Sequence, residues 1–189
     1  PIWMLVSHEV QHVLAQNHKW RTLSCTEEQR VDSEHHHQPE NFKHNLRRVE
    51  REGVEIEEVQ VTDDLKARAD KAIEAWKASR GEKGKQVHLT EIRPWVDAEH
   101  RRYFTAEKGG EVLAMVVLAQ LAPRHGWQVK WALDFPGAPN GVIEVLVEQA
   151  LSAVTGPVTF GAGRRPRQVP GQHVRAHHQE PAPRQQGLV

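Results

Sequence analysis

Residues 111–151 read EVLAMVVLAQLAPRHGWQVKWALDFPGAPNGVIEVLVEQAL, and this stretch decides the fold. Its first eleven residues are nearly all apolar, which is typical of a strand covered on both faces. After a turn at 123–126, apolar and polar residues alternate over 127–134 and predict an antiparallel partner strand with one wetter face. A Gly/Pro loop at 136–141 then opens directly into a helix with one apolar side.

The residues on either side of this stretch predict further helices and strands. On the N-terminal side we expect a helix at 44–51, a strand at 54–61 with a bulge at Glu57-Glu58, and a helix capped by Thr62 or Asp63. That helix carries its apolar residues on one face: Leu65, Ala69, Ala72, Ile73 and Trp76. Next come a loop at 81–84, a strand at 87–92 and a helix at 96–104. After Gly156-Pro157, residues 158–160 begin a last strand.

The predicted order is strand, helix, strand, helix, hairpin, loop, helix, strand. Because the long hairpin lies in its centre, this order indicates a mixed α/β (α+β) fold and excludes a doubly wound parallel sheet.

Composition divides the chain into three zones. Residues 1–43 are rich in histidine and predict an irregular segment with one short helix at 9–16 and no clear strand. Residues 44–163 form the expected domain. Residues 164–189, rich in Arg, Pro and Gln, lack apolar material and predict a disordered tail. The abrupt change after Gly163 suggests a frameshift or a misread exon, and the first residue, Pro1, suggests a fragment or processed chain.

Bulk properties exclude some classes of protein. The 25 basic and 25 acidic residues balance, so only local charge clusters can indicate a nucleic-acid partner. The single cysteine, Cys25, excludes an internal disulfide framework and indicates a reducing, cytoplasmic compartment. The longest apolar run, 112–119, is shorter than the roughly 20 residues that a membrane span requires.

Six short motifs, spread over about two thirds of the chain, can be compared with known families. They are HNLRRVEREGV (44–54), RPW (93–95), HRRYF (100–104), GWQVK (126–130), DFPGAPNG (134–141) and TFGAG (159–163). Together they resemble the phosphatidylglycerol lysyltransferase C-terminal family, which has a GNAT-like acyltransferase fold, and within it the fungal branch.

The resemblance implies an aminoacyl transferase. In the fungal branch, an amino acid, aspartate or glycine, moves from charged tRNA to the hydroxyl of ergosterol. The implied partners are charged tRNA, a sterol or lipid acceptor and an aspartyl-tRNA synthetase, fused or separate. No cofactor is implied. The domain is expected to be incomplete, because family members continue with further core elements after the TFGAG motif, and to work in the cytoplasm, peripheral to membranes.

Some residues are candidates for this chemistry. The loop with Gly137, Asn140 and Gly141 opens a helix, where free N–H groups favour the donor's phosphates. Its departure from the Gly-rich acetyl-CoA signature favours another donor. Lys130 and Asp134, on one face of a strand by period-2 geometry, are candidates to orient the ester and to act as base or fix the loop; a cross-strand ion pair is the alternative.

Further candidates lie on the predicted basic helices. His100 is the best general base by chemistry, and helix stabilisation is the alternative. Arg47, Arg48, Arg101 and Arg102, together with Arg51, are candidate phosphate ligands, and a solvated charged face is the alternative. The four tryptophans of the domain have two interpretations: they line a slot for the sterol, or they pack in the core. They are Trp76, Trp95, Trp127 and Trp131.

Three other functions stay open on the sequence alone. His8-Glu9-Val10-Gln11-His12 matches H-E-x-x-H, with His18 as a third zinc ligand of a metallopeptidase. Ala15 replaces the expected glycine and no Met-turn follows nearby, which counts against that reading. An acetyl-CoA-dependent acetyltransferase and a non-catalytic remnant of the fold are the remaining alternatives.

Overall fold

The computed structural model describes residues 8–16, 27–79 and 92–163. Four helices and six strands lie in these ranges, and short 3-10 turns precede β3 and β5. In chain order they are α1 (His8–Ala15), β1 (Glu27–Asp32), α2 (Phe42–Arg51), β2 (Glu55–Val59), α3 (Asp63–Ser79), β3 (Arg101–Lys108), β4 (Glu111–Leu121), β5 (Gly126–Asp134), α4 (Val142–Ser152) and β6 (Pro157–Gly163).

The six strands form one mixed sheet in the order β1-β6-β5-β4-β3-β2. Four of the five neighbouring pairs are antiparallel, and β5 and β6 are parallel, joined by the crossover helix α4. The predicted mixed α/β class and the central β4–β5 hairpin are confirmed. β4 is buried from Val112 to Leu118, as its continuous apolar run predicts.

Two apolar clusters cover the two faces of the sheet. On one face, α2 and α4 pack through Val49, Leu146 and Leu151 against Phe104 and Val116. On the other face, Leu65, Ala69 and Ile73 of α3 pack against Tyr103, Met115 and Val117. Alternate residues of the central strands thus pack into opposite clusters, and α3 and α4 bury the faces that their sequences predict.

The helix predicted over residues 96–104 is wrong. Only Ala98–His100 form a 3-10 turn, and β3 begins at Arg101. Tyr103 and Phe104 point to opposite faces of the sheet, into different apolar clusters, which a strand allows and a helix does not. Pairing with β4, a long-range contact, overrides the helical preference of the charged residues.

Two predictions for the N-terminal half also need correction. Residues 27–32, in the segment expected to be irregular, form β1, which pairs with β6 at the edge of the sheet. The sheet therefore extends beyond the boundary predicted at residue 44. The bulge predicted at Glu57-Glu58 is wrong, because β2 pairs with β3 without a shift in register. The helix predicted at 9–16 is confirmed as α1.

The strand predicted at 87–92 and the tail at 164–189 fall almost wholly outside the described residues, and both stay predictions. None of the described helices combines the length and the apolar character needed to cross a lipid bilayer.

Candidate functional site

The loop at 136–141, called the donor loop below, leaves β5 and enters α4 with two glycines in backbone conformations that other residues rarely adopt. Gly137 has φ 92° and Gly141, the N-cap of α4, has φ 90°. The Val142 N–H donates to the Pro139 carbonyl at 3.2 Å, whereas the N–H groups of Ile143 and Glu144 have no acceptor among the described residues. These two groups and the positive end of the helix dipole can therefore meet a ligand. The loop thus has the geometry of an anion-binding helix N-terminus.

Asn45 of α2 lies directly against the donor loop. A Cβ atom placed on Gly141 would come within 2.6 Å of the Asn45 side-chain carbon Cγ. Only glycine therefore fits here, both for its φ and for this close approach. The contact fixes α2 beside the N-terminus of α4.

β5 has one paired edge and one largely open edge. Towards β4 it is paired from Gly126 to Asp134. Towards β6 the ladder holds only two pairs, Trp127 with Val158 and Gln128 with Thr159. Beyond these pairs, the facing edges of β5 and β6 have no strand partner within the described part of the chain. Their backbone N–H and C=O groups can hydrogen-bond an extended ligand between the two strands.

A β-bulge lies in β5 beside this open edge. Val117 pairs with Trp131 and Leu118 with Val129, so Lys130 is one residue more than β4 can match. The bulge reverses the alternation of β5: Trp127 and Val129 pack on the α4 side, whereas Trp131 and Leu133 pack on the α3 side. The sequence predicted that the polar residues of this strand share one face. In the structure they are divided between the two faces of the sheet.

Lys130 and Asp134 are both exposed on β5. Four residues of strand separate them by about 13 Å, and no ion pair joins them among the described residues, so the expected alternative of an ion pair has no support. The Lys130 ammonium lies 5.9 Å from the centre of the Trp131 ring. Asp134 immediately precedes the donor loop. The structure thus places Lys130 at the bulge and Asp134 at the loop.

His100 lies away from the donor loop. It is exposed and ends the 3-10 turn before Arg101, whose partner on β4 is Ala119. Asp134 pairs with Ala114, five residues along the same strand, or about 17 Å. The structure therefore does not bring His100 together with Asp134 or with the loop.

Arg101 and Arg102 have internal partners. Arg101 donates hydrogen bonds to the backbone carbonyls of Arg93 and Pro94, each at 3.1 Å. Arg102 donates to both carboxylate oxygens of Glu58, at 2.7 and 2.6 Å, and to the Ala153 carbonyl at the end of α4. The hydrogen bonds from Arg102 hold the pKa of the Glu58 carboxyl below its usual range.

Arg47 and Arg48 lie on the outer side of α2, the helix that flanks the donor loop. Arg47 is exposed, and Arg48 is 3.3 Å from the His44 imidazole. The structure therefore separates the four arginines predicted as phosphate ligands. Two stabilise β3 and two remain on a surface near the loop.

The tryptophans do not line one slot. Trp76, Trp95 and Trp131 pack on the α3 face of the sheet, and Trp127 packs on the α4 face. This arrangement supports core packing, the alternative use predicted for them. The Trp131 indole N–H is buried and has no acceptor among the residues that the structure describes.

One polar pair beside α4 was not predicted from the sequence. Glu148, in the buried side of the helix, has its side chain 8% exposed and lies 2.9 Å from Nε2 of His36. His36 precedes α2, so the pair attaches the segment after β1 to α4. The signal that could have revealed it is the presence of two carboxylates, Glu144 and Glu148, in a largely apolar helix, of which the structure buries only Glu148.

The zinc-site alternative is only partly covered by the structure. His12 is exposed on α1, which has the helical form that H-E-x-x-H requires, but His18 and the side chain of His8 lie outside the described residues. Among described side chains, one group has metal-ligand spacing, the exposed Asp32, Glu34 and His35. Exposed acidic groups of this kind are common without an ion.

Comparison with known proteins identifies the family. The family model described as "Phosphatidylglycerol lysyltransferase, C-terminal" matches residues 1–157. The chain belongs to this family. The resemblance inferred from the sequence motifs is therefore confirmed, and the match includes the N-terminal segment that carries β1. No curated protein matches the chain.

Two solved structures share the fold of this family member. One is the C-terminal domain (DUF2156) of a protein described as a lysylphosphatidylglycerol synthetase from Agrobacterium fabrum, with 18% identity and a TM-score of 0.56. The other is L-PGS from Bacillus licheniformis, with 16% identity and a TM-score of 0.58. Each match covers 74% of this chain and 47% of the other chain. The GNAT-like mixed α/β fold is confirmed, and the chain spans about half the length of these relatives.

Proposed function

We propose that this domain is an acyltransferase that moves an amino acid from charged tRNA to the hydroxyl group of a lipid or sterol such as ergosterol. The observation that carries the proposal is the open edge of β5, which leaves β6 after two pairs and ends in the donor loop. An extended acyl donor fits such an edge, with its phosphates at the N-terminus of α4. Membership of a lysyltransferase family supports the same class of reaction.

The reaction exchanges one ester for another. The lipid hydroxyl oxygen attacks the carbonyl carbon of the aminoacyl ester, and the bond to the ribose oxygen of tRNA breaks. The hydroxyl proton is lost as the ribose oxygen gains one, so charge and atoms balance. Because the two esters are similar in energy, the domain has to position the reactants and stabilise the oxyanion of the intermediate.

Lys130 and Asp134 have different roles in this reaction because they lie at different places on β5. The bulge leaves backbone at Lys130 outside the ladder with β4, free to donate to the oxyanion, and the Lys130 ammonium orients the ester carbonyl. Asp134, about 13 Å further along the strand, holds the donor loop in the form that receives phosphate. The proposal assigns no step to His100, which lies at the other end of the sheet.

The finer identity of the substrates rests on the resemblance to the fungal branch. It favours aspartate or glycine as the amino acid, ergosterol as the acceptor and an aspartyl-tRNA synthetase as the source of charged tRNA. A sterol acceptor places the reaction at the surface of a membrane, with the tRNA on the cytoplasmic side.

Transfer of radiolabel tests the proposal. The purified chain is incubated with tRNA charged with labelled aspartate or glycine, with vesicles containing ergosterol or phosphatidylglycerol, and the lipid phase is counted. We expect label in the lipid phase, more with ergosterol. Lys130→Ala keeps the backbone donor but removes the ammonium that orients the ester carbonyl, so it should lower the rate by about 10²-fold. Lys71→Ala, an exposed lysine on α3, is the control and should leave the rate unchanged.

Parallel tubes test the other functions. A zinc chelator should have no effect, whereas loss of a peptidase activity on chelation would favour the His8 motif. Transfer from acetyl-CoA in place of tRNA would favour an acetyltransferase. No transfer from any donor by a chain that melts cooperatively would overturn the proposal in favour of a non-catalytic fold.

A further inference from the structure

α2 has two chemically distinct sides. Phe42, Leu46 and Val49 face inward and pack with the apolar cluster on the α4 face of the sheet. On the opposite side, every fourth residue is basic, so basic side chains recur about every 6 Å along the helix axis. We define the basic face of α2 as Lys43, His44, Arg47, Arg48 and Arg51.

Three cations of this face are unpaired. Lys43, Arg47 and Arg51 have no ion pair or hydrogen bond to a side chain in the described part of the chain. Six cations on other elements bind acidic partners at short distance: Arg30 and Arg124 with Glu28, Lys66 with Asp63, Arg68 with Asp64 and Glu107, Lys77 with Glu74, and Arg102 with Glu58. The other cations without an ion pair or side-chain hydrogen bond among the described residues lie singly on three different elements: Lys71, Lys108 and Lys130. Half of these unpaired cations therefore share one side of one ten-residue helix.

The position of α2 connects this face with the donor loop. Asn45, on the inner side of the helix, contacts Gly141 at the N-terminus of α4. The basic face consequently begins one helix diameter, about 10 Å, from the proposed phosphate site. A polyanion whose end reaches the loop can run along α2.

We infer that the basic face of α2 is the docking surface for the sugar-phosphate backbone of the donor tRNA, and that Arg101 and Arg102 take no part in it. This inference rests on the proposed function and adds the partner's contact surface to it. A membrane surface fits less well, because a helix that lies on lipid inserts apolar residues. The apolar residues of α2 are already buried against the sheet.

Binding of a short RNA hairpin tests this inference with matched charge losses. The test pair is Arg47→Gln/Arg51→Gln, and the control pair is Lys71→Gln/Lys108→Gln, which removes two exposed, unpaired cations from α3 and β3. In fluorescence titrations of the full chain, the test pair should weaken RNA binding at least about tenfold and reduce the slope of log K against log salt by about 2. The control pair should change neither value, and thermal melting should verify that both variants fold.

Four outcomes would contradict the inference or separate it from the proposed function. Equal weakening by both pairs would mean that only total charge matters. A loss confined to binding of phosphatidylglycerol vesicles would assign the face to the membrane. In the radiolabel assay, the test pair should raise KM for charged tRNA with little change in kcat; an unchanged KM in an active enzyme would overturn the docking surface alone. RNA binding through α2 by a chain without transferase activity would overturn the proposed function alone.

Discussion

The sheet consists of two parts that are held together in different ways. β2, β3, β4 and β5 are joined by continuous antiparallel ladders, which are interrupted only by single register shifts. β1 and β6 are paired with each other, yet they meet the larger part through only two parallel pairs. Side chains add further links to the larger part: Arg124, just before β5, donates to Glu28 of β1 at 2.7 Å, and His36 binds Glu148 of α4.

This difference indicates how the fold makes room for a ligand. The antiparallel part satisfies its own backbone and supplies stability. The β1–β6 part leaves one edge of β5 free. A continuous ladder would close this gap, and polar contacts take its place in holding the β1–β6 part in position. If the proposed function is correct, one edge of β5 contributes stability and the other binds the donor.

The largest effect is expected inside the antiparallel part. Leu118, fully buried on β4 opposite the bulge, packs beneath α4. Leu118→Ala should lower the free energy of unfolding by about 2–5 kcal/mol, since it removes buried methyl groups and leaves a cavity. Phe160→Ala on β6, where the side chain is 38% exposed, should cost less than about 2 kcal/mol. Urea denaturation measures both, and equal losses would contradict the division into two parts.

The next effect is expected at the loop between the two parts. Gly141→Ala places a methyl group against Asn45 and keeps a positive φ, so we expect a loss of about 2–3 kcal/mol. Gly137→Ala, with a similar φ but nothing within 4 Å of the added carbon, should lose about 1–2 kcal/mol. Combining Gly141→Ala with Asn45→Ala should recover the difference between them. If the double variant is no more stable than Gly141→Ala, the contact has no energetic role.

The third prediction concerns the side chains that hold the smaller part. His36→Ala removes the partner of Glu148 and leaves a buried carboxylate, at a cost of about 1–3 kcal/mol. Hydrogen exchange in β1 and β6 should accelerate more than in β3 and β4. His37→Ala, an exposed neighbour, is the control and should leave both stability and exchange unchanged. Uniform acceleration in all six strands would show that the sheet opens as one unit.

The smallest effect is expected at the outer edge of the larger part. Because Arg102 lowers the pKa of Glu58, their pair contributes stability above the unfolded pKa, near 4.5, and that contribution disappears as the pH falls through the lower folded value. Both side chains are about one third exposed, so Glu58→Gln should cost less than about 1 kcal/mol at pH 7. The difference from wild type should vanish once the pH lies below the folded pKa of Glu58. Glu57→Gln should cost nothing at either pH, and a loss that persists in acid would exclude this origin.

Local sequence patterns correctly predicted the elements whose structure is determined by their own residues. The apolar run of β4, the donor loop with its glycines and the apolar side of α4 are of this kind. The sequence did not predict β1 and β3, because each forms a strand only through pairing with another strand. The sequence EEQRVD becomes a strand only beside β6, and residues 101–104 become one only beside β4.

The candidate site was predictable to a similar extent. Motif and composition pointed to the loop, Lys130 and the basic residues of α2. They did not reveal that Arg102 binds Glu58, or that Glu148 binds His36, because both pairs join residues far apart in sequence. The bulge was also invisible, since the alternation of β5 looks the same on either side of Lys130.

The bulge makes the parity of β5 part of its function. If Lys130 were part of a regular ladder, strand alternation would place Asp134 on the α3 side of the sheet, whereas the bulge places it on the α4 side. Deleting Lys130 would remove the ammonium and the bulge but would leave Asp134 on the α4 side, because Val129 and Trp131 would keep their partners Leu118 and Val117. Deleting a residue after the bulge would instead turn Asp134 to the α3 side and start the donor loop from the wrong face. Length variation in relatives of this domain should consequently be tolerated in the turn at 122–125 before β5, and should be rare between the bulge and the donor loop.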